Sequence, residues 1–282
     1  MDSIMKKYRK EIWNPFTKGV REFCMIQPHD KIAVCISGGK DSMLLAKCIE
    51  KYREISGVPF SVIYLCMNPG YSEENLDIIF RNAKLLKLKL DIFNTRIFES
   101  TKREKRTPCF LCARLRRGAL YKAAMERGCN KIALGHHFND VIETILMGML
   151  CGGQLQTMMP KLQSENYKDM QVIRPLYYVH EANIIKWAED NELSFIRCLC
   201  GITKNSSADD QAISKRQEVK ELIKMLKKTI PDVEHHIFRS VWNVDLRHLI
   251  SYHLGNDKHN FMDTFNDSLH KSKGENAEDD RE

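Results

Sequence analysis

The stretch VCISGGKDSMLL, residues 34–45, decides the fold. An apolar run over 32–36 stops at Ser37-Gly38-Gly39-Lys40-Asp41-Ser42, and a segment with helical apolar spacing, 43–49, follows at once. This is the pattern of strand, loop and helix. The ordinary phosphate loop GxxxxGK[ST] is not matched, because the glycines are paired and an acidic Asp41 follows Lys40. Backbone N–H groups at Gly38 and Gly39 can still approach an anion closely, since neither residue carries a Cβ, and the helix N-terminus adds partial positive charge. The competing structural reading is a glycine turn with Asp41 or Ser42 as helix N-cap. The full hexapeptide after a strand favours the anion site.

Outward from this loop the chain alternates. Strands are expected at 31–36, 60–67, 89–94, 131–135 and 171–174, with helices at 42–52, 73–86, 112–127, 139–149 and 180–191. Such alternation predicts an α/β fold, a doubly wound parallel sheet with ligands at the strand C-terminal ends, where SGGKDS falls. Residues 1–27 read as a basic amphipathic helix, 28–205 as the sheet domain, 206–255 as an appended helical lobe with helices at 212–228 and 233–241, and 256–282 as a polar tail expected to be disordered apart from Phe261, Phe265 and Leu269.

With 282 residues and 43% hydrophobic content, the chain can bury an ordinary core. It has no apolar run of about eighteen residues and no signal-peptide pattern, so a cytoplasmic protein without membrane contact is expected. The formal charge of +7 is concentrated in basic clusters at 6–10, 102–106, 114–117 and 224–228. Such clusters suit a polyanion, although the Lys-rich helix at 224–228 reads equally well as a solvated face.

Ten cysteines without a secretory signal are not a disulfide scaffold. Six lie scattered in apolar contexts, leaving Cys109 and Cys112 in TPCFLCARLRRG, and Cys198 and Cys200 in IRCLCGI. CxxC alone is compatible with half of a zinc site, a redox pair or two ligands of an iron–sulfur cluster. A basic helix after the pair disfavours the redox reading, and CxC is an awkward span for two ligands of one tetrahedral zinc. Three cysteines on one cluster would leave one iron without a protein ligand.

SGGKDS resembles the pyrophosphate-binding loop of the adenine nucleotide alpha hydrolases, the PP-loop ATP pyrophosphatases. The longer stretch CFLCARLRRGALYKAAMERGCNKIALGHHFNDVIETILMGMLCGGQLQTMMPKL, with VIRPLYY, is similar to the tRNA 2-thiocytidine synthetase family, and the likeness runs from the N-terminal helix through RSVWNV. It implies an ATP-dependent enzyme that adenylates the C2 oxygen of a cytidine in the tRNA anticodon loop, exchanges it for sulfur, and releases AMP and pyrophosphate. The implied cofactors are a [4Fe–4S] cluster, ATP and Mg2+. The implied cluster ligands are Cys109, Cys112 and Cys200, with Cys198 as the alternative third. Ser37, Gly38, Gly39, Lys40, Asp41, Ser42, Gly135, His136 and Asp140 would hold nucleotide and metal. Where many relatives carry two acidic residues after the paired histidines, this chain has Asn139 and Asp140, which puts the first metal carboxylate in doubt; Asp41 and Asp140 would then serve magnesium.

Arg114, Arg116, Arg117 and Lys161 are the expected tRNA phosphate contacts, with Arg174 similarly placed and the cluster at 6–10 further out. His136 and His137 are expected at the crevice rim, or as buried structural histidines. A cysteine desulfurase or another sulfur donor is an expected partner, and a homodimer a compatible assembly. Sulfur could instead arrive as a persulfide on Cys198 or Cys200. Two other functions use the same features: a cluster-dependent thionucleobase desulfidase, which has little use for SGGKDS, and a tRNA-binding module without catalysis.

Overall fold

The computed structural model describes residues 4–101, 108–195, 207–263 and 265, with the backbone alone for 108–110 and 207–214. Its centre is a six-stranded sheet of β1 (Lys31–Ile36), β2 (Ser61–Asn68), β3 (Leu90–Asn94), β4 (Lys131–Ala133), β5 (Lys161–Gln163) and β6 (Gln171–Ile173), in the order β3-β2-β1-β4-β6-β5. All neighbouring pairs are parallel except β5 with β6. The helices are α1 (Asn14–Glu22), preceded by a π-helical turn at Arg9–Trp13, α2 (Lys40–Ile55), α3 (Glu73–Leu85), α4 (Ile97–Thr101), α5 (Pro108–Glu126), α6 (Phe138–Gly152), α7 (Glu181–Asp190), α8 (Ser207–Thr229) and α9 (Val233–Ser240).

Successive strand residues point to opposite faces, and both faces of this sheet are covered. On β1, Ile32, Val34 and Ile36 join the larger core with Phe16, Met43, Leu44, Ile184 and Trp187. Ala33 and Cys35 join a second core with Leu65, Tyr121, Ala124, Ile132 and Val172. The near-continuous apolar run over 32–36 is therefore the mark of a central strand buried on both sides. The N-terminal segment belongs to the larger core: Ile12, Phe16 and Met25 are fully buried, and Trp13, Phe16 and Tyr52 rings lie 5.5 to 6.5 Å apart.

At the N-terminal edge of the sheet, Lys131 Nζ lies 2.6 Å from Asp30 Oδ2 and 3.1 Å from the Met25 carbonyl, while Asn130 Nδ2 reaches Asp30 Oδ1 at 2.8 Å. Both charged side chains are buried, and this network anchors the turn into β1.

By backbone contacts the chain divides into Met1–Glu234 and His235–Glu282. The second unit carries an antiparallel hairpin of β7 (Ser251–Leu254) and β8 (Asp257–Asn260), where an all-helical lobe and the start of a tail were expected. Gly255 has φ +64°, which opens a two-residue turn, and Tyr252 stacks on His259 across the strands at 4.9 Å. Turn chemistry and a cross-strand pair build this hairpin without the apolar alternation that signals a strand. Lys161, expected as a phosphate contact, opens the edge strand β5, which the sequence pattern did not predict. Of the rest of the expected tail, residues 261–263 and 265 are described and helical, and 264 and 266–282 lie outside the described residues. No helix among the described residues is long and apolar enough to cross a membrane.

Lys131→Ala leaves the Asp30 carboxylate buried without its cation. It should lower the unfolding free energy by about 3–5 kcal/mol, seen as a reduced urea midpoint.

Candidate nucleotide and sulfur-transfer site

The sheet order reverses at β1. The connections run outward through β2 to β3, then return to place β4 on the other side of β1, so the crevice between the C-terminal ends of β1 and β4 is the switch point where ligands bind. SGGKDS closes one wall of it, and Gly135-His136-His137 the other.

Gly38 adopts φ +83°, a conformation that side chains resist, and turns the chain out of β1. Gly39 is extended and precedes the first residue of α2, so the helix has neither Asp41 nor Ser42 as its N-cap. The Ser42 hydroxyl donates to the Gly39 carbonyl at 2.9 Å and accepts the Ser37 N–H at 3.2 Å; the Gly39 N–H reaches Ser37 Oγ at 3.4 Å. These bonds hold the loop in shape from within. Across the crevice, a Cβ on Gly135 would lie 3.0 Å from backbone atoms of Asp41 and Ser42, so only glycine lets the β4 loop rest on the first turn of α2.

Lys40 Nζ is 2.9 Å from Glu181 Oε1 and 3.3 Å from Asp41 Oδ1. His137 is 3% exposed, and its Nε2 lies 3.7 Å from Asp41 Oδ1, 3.5 Å from Asp140 Oδ2 and 4.0 Å from Glu181 Oε1. Three carboxylates from the first turns of α2, α6 and α7 thus meet at one imidazole. Burial raises the Asp41 pKa against the opposing pulls of His137 and Lys40. Burial also acts to raise that of Glu181, but the Lys40 hydrogen bond and charge prevail and bring it below the usual range. Lys40 itself loses hydration, yet Asp41 and Glu181 hold its pKa above the ordinary value.

Asp41 Oδ1 is buried and accepts no hydrogen bond. Such an oxygen fits a hard cation, and Asp140 beside it can supply a second. Among the described residues no group of three or more His, Cys, Asp or Glu is arranged to hold a metal ion. Asn139 acts on the backbone instead. Its Oδ1 accepts the Glu181 N–H at 2.9 Å, tying the start of α7 to the start of α6. Asp140 Oδ2 accepts the His137 N–H at 3.0 Å, the carboxylate half of a capping box.

His136 is held neutral. Arg174 Nε donates to its Nδ1 at 3.3 Å, leaving the ring proton on Nε2, and burial with the Arg174 charge pushes its pKa down to about 4. Arg174 is in turn fixed by the Met159 carbonyl.

Cys112 is buried against Met67 and Ile97, at the C-terminal end of β2. The Cys109 side chain, Cys198 and Cys200 lie outside the described residues. A buried thiol on an apolar shelf, with a second cysteine one helical turn earlier on α5, fits the sulfur donor set of an iron–sulfur cluster. On the same helix Arg114 and Arg117 are exposed and Arg116 half-buried, and no carboxylate among the described residues pairs with them. The Lys161 amine donates to the Cys24 carbonyl at 2.8 Å, and Lys7 pairs with Asp190.

Glu143, Glu181, Arg216 and Lys220 were not expected at the site. Arg216 and Lys220 of α8 reach Asp140, Glu143 and Glu181 at 3.5 to 3.6 Å. No local signal marks them, since they come from segments far along the chain from the loop.

A glycine loop at the switch point of a parallel sheet, ending in a lysine on the first turn of a helix, defines a nucleotide-binding domain of the PP-loop class, and the PP-loop domain family matches residues 6–199. The chain is 37% identical over 253 residues to the tRNA-cytidine(32) 2-sulfurtransferase of Geobacter metallireducens, covering 88% of this chain and 95% of the relative. It is 35% identical over 255 residues to that of Neisseria meningitidis serogroup A, covering 88% and 76%. It belongs to the tRNA-cytidine(32) 2-sulfurtransferase family, a family of tRNA sulfurtransferases. The U34-tRNA thiolase NcsA from Methanococcus maripaludis, solved with its [4Fe–4S] cluster, shares the fold with a TM-score of 0.62 at 22% identity, covering 84% of this chain and 78% of that one.

Two outcomes follow from this geometry. Gly135→Ala should cost about 1–3 kcal/mol in chemical denaturation, because backbone must shift to admit the methyl. The imidazole of His136 should titrate by NMR near 4 and not near 6.5. Between those values the unfolded chain binds the extra proton, so His136 makes stability fall as pH drops from 6.5 towards 4, and Arg174→Gln should raise the midpoint of the titration.

Proposed function

We propose that this chain is an ATP-dependent sulfurtransferase that replaces the C2 oxygen of cytidine 32 in tRNA with sulfur. The observation that carries this reading is the meeting of the glycine loop, Lys40 and the unbonded Asp41 Oδ1 at the β1/β4 crevice, with the CxxCxRLRRG helix beside β2 at the same end of the sheet. It also rests on identity of 35–37% with the sulfurtransferases across nearly nine-tenths of the chain.

Cytosine O2 is a poor leaving group. Its attack on the α phosphorus of ATP breaks the α–β anhydride bond and releases pyrophosphate; sulfur at the oxidation level of sulfide then forms a bond to C2, and the oxygen departs within AMP. No electrons are exchanged in this sequence, and the sulfide proton passes to solvent. The sulfide comes from a sulfur donor; where that donor is a cysteine desulfurase persulfide, a dithiol reductant supplies two electrons, releasing the outer sulfur as sulfide and ending as a disulfide.

Gly38 and Gly39 offer backbone N–H groups to the leaving phosphates, with the Ser37 hydroxyl beside them, and Ser42 braces the loop. Lys40 neutralises the charge that develops on the pyrophosphate. Asp41 and Asp140 would hold magnesium, which when bound offsets phosphate charge. Gly135 shapes the opposite wall, and His136 presents its Nε2–H as a donor. Cys109, Cys112 and Cys200, with Cys198 as alternative third ligand, would hold a [4Fe–4S] cluster, which when bound supplies an iron open to a sulfur ligand. Arg114, Arg116 and Arg117 would bind phosphates of the anticodon loop, whose bases leave their stack at small cost.

Mass spectrometry of tRNA nucleosides from a strain lacking the gene should show 2-thiocytidine lost, and restored by the intact gene. Unchanged 2-thiocytidine overturns the proposal, and accumulation of another thionucleoside would favour desulfuration. In the purified protein, Lys40→Ala should reduce pyrophosphate release at least about 100-fold while keeping the brown chromophore. Cys112→Ala should lose the chromophore and thiolation together while the chain stays folded.

A further inference from the structure

Two cations at the crevice come from α8, far along the chain from the glycine loop. Arg216 and Lys220 stand one helical turn apart on one face of α8. Lys220 Nζ lies 3.5 Å from Glu181 Oε2 and 3.6 Å from Glu143 Oε1; Arg216 Nη1 lies 3.5 Å from Asp140 Oδ1, and its Nε 3.6 Å from Glu143 Oε2. All four distances exceed the roughly 2.7–2.9 Å of a well-made charge-assisted bond. The buried Glu143 Oε2 accepts no hydrogen bond from either of them. These cations stand near carboxylates without being saturated by them.

Glu181 links α8 to the loop. Its Oε1 takes Lys40 at 2.9 Å and its Oε2 faces Lys220, so one carboxylate is bracketed by two amines from helices distant in sequence. A phosphoryl group presents three oxygens and more charge than a carboxylate, and it fits the same bracket. The N-termini of α2, α6 and α7, opened by Lys40, Phe138 and Glu181, meet here as well, and each favours an anion.

We propose that Arg216 and Lys220 are phosphate ligands of the nucleotide, gripping with Lys40 the β and γ phosphates that leave as pyrophosphate, and that Glu181 is the internal anion exchanged for them. This rests on the ATP reading above and extends the site to a helix beyond the PP-loop match. Asn139 has a place in it, since its bond to the Glu181 N–H sets where that carboxylate stands.

The test is equilibrium binding of ATP, AMP and inorganic pyrophosphate to the full chain by calorimetry. Arg216→Ala and Lys220→Ala should each weaken ATP and pyrophosphate about tenfold or more, while AMP, which lacks the gripped phosphates, changes less than about twofold. Each truncation leaves buried Glu143 short of a cation, so each is also made together with Glu143→Gln, where the buried group is neutral. Glu181→Gln removes the competing anion and should tighten pyrophosphate about threefold or more, a gain that loss of a merely structural contact would not give. If the unaltered chain binds ATP and pyrophosphate but the α8 variants bind them unchanged, or lose AMP equally, the assignment of Arg216 and Lys220 is overturned. Unchanged or weaker pyrophosphate binding in Glu181→Gln overturns the exchange. If the unaltered chain binds neither ATP nor pyrophosphate, the nucleotide reading itself fails, and this inference with it.

Discussion

The contact between Gly135 and the first turn of α2 is the constraint on which the site depends. A parallel sheet opens a crevice wherever its strand order reverses, but the width of that crevice is set by how closely the two loops beside it approach. Here the β4 loop lies against the backbone of Asp41 and Ser42 with no room for a Cβ to spare. That approach brings His137 within 4 Å of carboxylates from three helices, and brings Asp140 beside Asp41. A larger residue at 135 would press on that backbone, and the two walls would have to give by a few tenths of an ångström to admit it.

Burial of so many charges at one place has an energetic consequence. Isolated ions in such a crevice would be costly, and the protein answers with mutual pairing that stays incomplete. Lys40 is paired with Glu181, while Asp41 Oδ1, His137 Nδ1 and Glu143 Oε2 accept no hydrogen bond. Unfulfilled groups of this kind are what a site shaped for a polyphosphate and a divalent cation would carry. His136 follows a separate logic: burial and the Arg174 charge keep it neutral, and Arg174 Nε donates to its Nδ1.

The CxxC helix is built on the opposite layer. Cys112 rests on the shelf formed by Met67 and Ile97, and α5, which carries it, also carries Arg114, Arg116 and Arg117. A single helix therefore joins the implied cluster ligands to the cations that would meet tRNA.

Local order in the chain settled much of this. The unbroken apolar run of β1, helical spacing in 43–49, the glycine pair and the cysteine spacing all act over a few residues, so the strand–loop–helix unit, the parallel sheet and the family resemblance were legible in the sequence. The boundaries of α2, α3, α6, α7 and α9 agreed to within about three residues because periodicity is local, whereas the segment read as one helix over 1–27 is helical, among the described residues, only over 9–22, and α4 was not expected. The β7–β8 hairpin was not legible, since it depends on one positive φ and one ring stack, and neither was the edge strand that carries Lys161. Least legible were the charged groups that α7 and α8 bring to the crevice beside Lys40. Glu181, Lys220 and Arg216 lie 141, 180 and 176 residues beyond it, and a carboxylate at a helix start or a lysine on a charged helix is locally indistinguishable from a solvated one. Only the folding of α7 and α8 over the switch point brings those charges together, because pairing at about 3 Å is a property of tertiary distance that sequence spacing does not encode.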